Sequence, residues 1–73
     1  MPLFKKKPVV ITAERIDREF TVETLEGTMT GNPGDWLLTG VMGEQYPCAD
    51  SIFRKTYEPI DDAGQEELEK ELS

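Results

Sequence analysis

The segment NPGDWLLTGVMGEQYPC, residues 32–48, decides how this chain folds, because it sets the one Trp and the one Cys among alternating turn and apolar residues. Pro33 presets its φ for the first central position of a turn, and Gly34 supplies the positive φ that a type II turn needs next. The chain must reverse at 32–35. Trp36, Leu37, Leu38 and Thr39 follow as a short, almost wholly apolar run of the kind covered on both faces. Gly40-Val41-Met42-Gly43 reads as a loop, and Glu44, Gln45 and Tyr46 as the return strand. Pro47 is expected to end the pairing, having no N–H to give the ladder. The segment is therefore the fold's central hairpin and not an active-site loop.

Upstream, KKPVVITAERI (residues 6–16) predicts a first strand, since Val9, Val10, Ile11 and Thr12 are β-branched and Pro8 is tolerated at a strand's first residue. A turn is expected near Asp17 and Arg18. In FTVETLEGTMTGN (residues 20–32), Phe20, Val22 and Thr24 alternate with Thr21, Glu23 and Leu25. Glu26-Gly27 reads as the connection of a hairpin whose return strand holds Thr28, Met29 and Thr30. Downstream, Asp50 is the expected N-cap of a single helical turn through Ser51, Ile52 and Phe53, and Thr56, Tyr57 and Glu58 a last strand ending near Pro59-Ile60. The fold class is mainly β: five or six short antiparallel strands in a small barrel or rolled sheet, with one helical turn and a C-terminal helix.

The 73 residues carry a net charge of -7, placed unevenly. Residues 61–73 hold six acids and one lysine, a net of -5, which leaves -2 for residues 1–60. Residues 1–60 are thus expected to be one small β-domain, and DDAGQEELEKELS (61–73) an acidic tail, frayed helix or disordered, with Leu68 and Leu72 as its only apolar stripe. A chain of this size buries only about 60% of the surface its unfolded form exposes, so its stability is expected to be marginal. The lone Cys48 forms no disulfide within the chain and suits a reducing compartment. MPLFKKKPVV lacks the apolar run of a secretory signal, and no run approaches the ~18 apolar residues of a membrane span. A soluble, cytoplasmic protein is expected.

There is no His, so no Ser-His, Cys-His or zinc set can be assembled. GNPGDWLLTGVMG has no Lys-Ser/Thr after its glycines and fails as a phosphate loop. Cys48 would need a nearby cation, such as Arg54 or Lys55, to become a nucleophile, and between Pro47 and Ala49 it reads better as a small buried hydrophobe. Asp35 and Glu44 could face each other across the hairpin as an acid-base or cation pair, but Asp35 is better explained as a turn residue and Glu44 as a solvent-facing strand start. No enzyme and no cofactor is expected. Candidate partner-binding residues are Trp36, Tyr46 and Tyr57, an aromatic set that would otherwise fill the core, together with Leu68 and Leu72. Lys5, Lys6, Lys7, Arg54 and Lys55 would be a phosphate-binding face in the alternative case of a nucleic-acid module, or else solvated ends of edge strands.

The layout KKKPVVI.A, TLEGTMTGNPGDWLLTGVMGEQYPC, D.IF and TYEPI resembles small proteins carried by tailed bacteriophages and prophages. The likeness spans residues 5–60, and its most specific parts are PGDWLLTGVMGEQYPC and IFRKTYEPI. The acidic tail lies outside it, and ERIDREF is shorter than that family leads one to expect. The resemblance implies a phage or prophage origin and no activity that carries over to particular residues. The expectation is an accessory protein that acts by binding another protein or by self-association.

Overall fold

The computed structural model describes residues 1–5 and 7–70. The chain runs through β1 (Thr12–Arg15), β2 (Phe20–Thr24), β3 (Gly27–Gly31), β4 (Trp36–Thr39), β5 (Gln45–Cys48), α1 (Asp50–Thr56) and α2 (Asp62–Glu69). It is mainly β, as expected. The strands form two antiparallel sheets, one of order β1-β4-β5 and one the β2-β3 hairpin, which lies against β5; among the described residues they do not close into a barrel.

The turn at 32–35 forms as the sequence requires: Gly34 has φ 94°, and the Asp35 N–H donates to the Asn32 carbonyl at 2.9 Å. It feeds β4 into the middle of its sheet, with Arg15↔Trp36 through Thr12↔Thr39 on one side and Trp36↔Cys48 through Thr39↔Gln45 on the other. Alternation then sends Trp36 and Leu38 to the same face. They are 1% and 0% exposed, whereas Leu37 and Thr39 on the opposite face are half-buried. So β4 is fully covered on one face only.

Four expectations are corrected. The first strand begins at Thr12, not in the valines, because β4 ends at Thr39 opposite Thr12 and leaves Val9, Val10 and Ile11 no strand to pair with. Pro47 does not end β5 but sits within it opposite Leu37. An edge strand tolerates this, since a residue without an N–H can turn its nitrogen away from the ladder. The β2-β3 connection is Leu25-Glu26, not Glu26-Gly27, with Thr24 paired to Gly27. The Thr24 hydroxyl accepts from the Glu26 N–H at 3.1 Å and donates to the Gly27 carbonyl at 2.8 Å, clamping those two residues in the turn.

The last correction concerns residues 49–58. The N-cap is Ala49 and carries no side-chain cap, while Asp50 is the first residue of a helix that runs seven residues, past the single turn expected. No strand forms at 56–58: Thr56 ends α1, its hydroxyl bonding back to the Ile52 carbonyl at 2.8 Å, and Tyr57 is the extended C-cap. The extra turn is held by an i,i+4 pair, Asp50 with Arg54, and by a second i,i+4 pair that aims Phe53 and Tyr57 at the core. Phe53 stacks on Trp36 with centroids 4.0 Å apart, and Tyr57 on Phe53 at 5.2 Å.

The core is correspondingly small: Trp36, Leu38 and Phe53 at its centre, with Ile11, Ala13, Tyr46, Cys48, Tyr57 and Leu68 packed around them. Val22, on the β2-β3 hairpin, is also buried. The acidic stretch forms α2, which begins where the Asp61 carboxylate accepts the Gly64 N–H at 2.8 Å. Two guanidinium groups join this helix to the body. Arg54 donates to the Leu68 carbonyl at 3.0 Å and Arg15 to the Lys70 carbonyl at 3.2 Å, while Leu68 packs on the core. No helix among the described residues is long and apolar enough to cross a membrane.

Candidate functional site

Because β4 leaves residues 7–11 unpaired, that segment and the α1-α2 connection with one side of α2 face each other across a gap. That gap is a groove of about 780 Å³. One wall is the chain from Lys7 to Ala13; the other is the α1-α2 connection from Thr56 to Asp61 with the Ala63, Gly64, Glu67 and Leu68 side of α2. Trp36, Phe53 and Tyr57 lie at its base. The rim carries apolar side chains that are far from buried: Val9 is 49% exposed, Val10 67% and Ile60 73%. Its charges are the carboxylates of Glu58, Asp61 and Glu67 against one ammonium, Lys7. Glu67 is shared with Lys70, at 3.3 Å.

Beneath the base lies the fold's polar hub. The Asp50 carboxylate accepts the Trp36 indole N–H at 2.8 Å and the Arg54 Nε–H at 3.0 Å, and the Arg15 guanidinium stands 3.7 Å away. The Trp36 bond above all, then the Arg54 hydrogen bond and the two guanidinium charges, outweigh burial and hold the Asp50 carboxyl below the usual range. Every buried side-chain nitrogen and oxygen among the described residues has a partner. On the far side of Tyr57, a hydrogen bond with Tyr46 is the main cause pushing the Tyr46 phenol up to about 12; burial and then the charges of Tyr57, Glu44 and Cys48 add to it.

The structure brings Trp36, Tyr57 and Leu68 together in this groove, with Trp36 as its buried underside. Tyr46 joins the same core but is not part of the groove. Lys5 is exposed on the N-terminal arm and Lys55 on α1, whereas Arg54 is committed to Asp50 and to the Leu68 carbonyl. Leu72 and Lys6 lie outside the described residues.

The Asp35/Glu44 pairing fails. Asp35 precedes Trp36, Glu44 precedes Gln45, and the register sets Thr39 opposite Gln45. The two carboxylates are thus at opposite ends of the hairpin, about 16 Å apart along β4 at ~3.3 Å per residue. Asp35 instead accepts the Asn32 N–H at 2.9 Å within its own turn. The Cys48 thiol is pushed up by burial first and by the Asp35 charge second, the opposite of what a nucleophile needs. No group of three or more potential metal ligands occurs among the described residues.

The sequence reading missed Val9, Val10, Phe53 and Ile60. The signal for Phe53 was its i,i+4 spacing to Tyr57 once α1 is allowed two turns. For Val9 and Val10 there was no local signal, because the end of β4 at Thr39 decides that they have no strand to pair with. Comparison with family models, with curated proteins and with solved structures finds no match to this chain.

Proposed function

We propose that this chain is a small phage- or prophage-type accessory protein that works in the host cytoplasm by binding a protein chain in the groove between residues 7–13 and α2. The observation that carries the proposal is the exposure of Val9, Val10 and Ile60 around a base of stacked aromatics. Apolar side chains rimming one concavity are what an interaction site presents. A small-molecule site would gather a few convergent polar groups, and this groove has carboxylates only along its edge. An extended or helical segment with two or three apolar side chains matches it better. A catalytic role is disfavoured by the raised thiol of Cys48 and the separation of Asp35 from Glu44. Nucleic-acid binding is disfavoured by the commitment of Arg54 to Asp50 and by the carboxylates on the rim.

The test is a photo-crosslinking residue placed at Ile60, on the rim, and separately at Leu25, the fully exposed tip of the β2-β3 hairpin. A protein adduct of defined mass at position 60 and none at 25 is expected in bacterial cells expressing the full chain. Adducts at 25 with none at 60 would rule the groove out.

A further inference from the structure

Resting on the groove as the binding surface, we propose that its occupant is the N-terminal arm of a second copy of this chain, residues 1–6, exchanged reciprocally. The arm has the composition the groove calls for. Leu3 and Phe4 are each 94% exposed, and Lys5 and Lys6 follow. The groove offers apolar surface flanked by Glu58, Asp61 and Glu67. An apolar pair followed by cations thus meets an apolar base edged by carboxylates, and α2 adds Asp62 and Glu66 nearby. The complementarity lies between two parts of one sequence.

The arm does not fill its own groove. Lys7 belongs to the wall, Pro8 restricts it to extended backbone, and neither Leu3 nor Phe4 lines the groove. Extended residues rise about 3.3–3.6 Å each, giving the arm a reach of roughly 20 Å, enough to enter a neighbour. Exchange about a two-fold axis fills both grooves with both arms and leaves no open end, so the product is a closed dimer and not a filament. Each chain gains cover for Leu3, Phe4, Val10 and Ile60 together, the exposed apolar surface that its small core cannot absorb.

The experiment is light scattering on the full chain across a concentration series, beside the double variant Leu3→Ser/Phe4→Ser and the groove variant Val10→Asp. Leu3, Phe4 and Val10 are exposed in the single subunit, so circular dichroism and Trp36 fluorescence should match the parent. The expected result is a mass of twice 8.3 kDa for the parent chain. In each variant the dissociation constant should rise by about tenfold or more. Lys5→Glu should weaken the dimer likewise, and added salt should weaken the parent. A parent that stays monomeric at every concentration overturns arm exchange, and a foreign adduct at position 60 would then leave the groove standing. A dimer indifferent to Leu3→Ser/Phe4→Ser but broken by Val10→Asp also overturns arm exchange while keeping the groove. A dimer indifferent to both is held by another surface and overturns arm exchange, and the crosslink at position 60 then decides the groove.

Discussion

Asp50→Ala should be among the most damaging single changes on this molecule, out of proportion to a residue near the surface. The carboxylate is the acceptor for the indole N–H of Trp36, a residue only 1% exposed, so truncation takes the partner from a buried donor. An orphaned buried donor costs ~1–3 kcal/mol. The accompanying Arg54 pair contributes only ~0.3–0.5 kcal/mol, as expected of a largely exposed i,i+4 pair. The total is therefore about 1.3–3.5 kcal/mol. A 73-residue chain at ~0.05–0.15 kcal/mol per residue has roughly 4–11 kcal/mol in all, so the loss is a large share of the stability. At ~4–8 °C per kcal/mol for a domain of this size, Tm should fall by roughly 5–28 °C. Urea unfolding followed by Trp36 fluorescence measures it directly. Asp50→Asn keeps an acceptor in the same place and should recover at least half of the loss. Because the carboxyl is held below its ordinary value, the unfolded chain binds that proton more readily than the folded one. The contribution is complete above the unfolded value of about 4 and disappears as pH falls through the lower folded value, so Asp50→Asn should flatten the acid side of the stability profile. An Asp50→Ala chain within 0.5 kcal/mol of the parent, about the scatter of a neutral surface change, would refute the claim that this bond anchors Trp36.

Tyr57→Phe removes the hydroxyl that is the main cause of the raised Tyr46 phenol, so the Tyr46 titration, followed by tyrosinate absorbance, should move from about 12 back toward its ordinary value of about 10. Since the folded value is the higher one, the matching stability is complete below about pH 10 and is lost as pH climbs toward the folded value; an unmoved titration would break the assignment. Cys48 should react with an aryl disulfide at neutral pH more slowly than it does in the urea-unfolded chain, because burial and the Asp35 charge disfavour its thiolate. Equal or faster reaction in the folded state would reinstate the nucleophile. Gly31→Ala should cost about 1–3 kcal/mol, since a Cβ at that buried position overlaps the ring of Phe20, its cross-strand partner. Phe20→Leu should relieve part of that loss, and a neutral Gly31→Ala by urea unfolding would show that the ring does not seat there.

Much of the sheet was legible because its signals are local. Pro33-Gly34 fixes a reversal through φ alone, and the alternation in FTVET and the apolar run WLLT need no knowledge of partners. The errors fall where the partner decides. Val9 and Val10 have strand propensity but no strand, because the length of β4 and the departure of the chain at Gly40 are properties of another segment. Pro47 was taken as a stop because the sequence does not say that β5 is an edge. Asp50 looked like a cap because its short-range role is visible and its bond to Trp36, fourteen positions away, is not. The groove was the least legible feature of all, since it is made by two unpaired segments at opposite ends of the sequence.

That placement follows from size. In a chain whose core centres on Trp36, Leu38 and Phe53, there is no second layer from which to build a separate binding surface. The same aromatic stack that α1 presses onto β4 must therefore serve on one side as the interior and on the other as the base of the groove. Asp50, Arg15 and Arg54 make that double use possible. Asp50 accepts the indole N–H from below, and the two arginines pair with Asp50 and hold the end of α2, so the aromatic rings stay in place while Val9, Val10 and Ile60 stand exposed at the groove. Under the proposed arm exchange, a second molecule supplies their cover through the arm that carries Leu3 and Phe4.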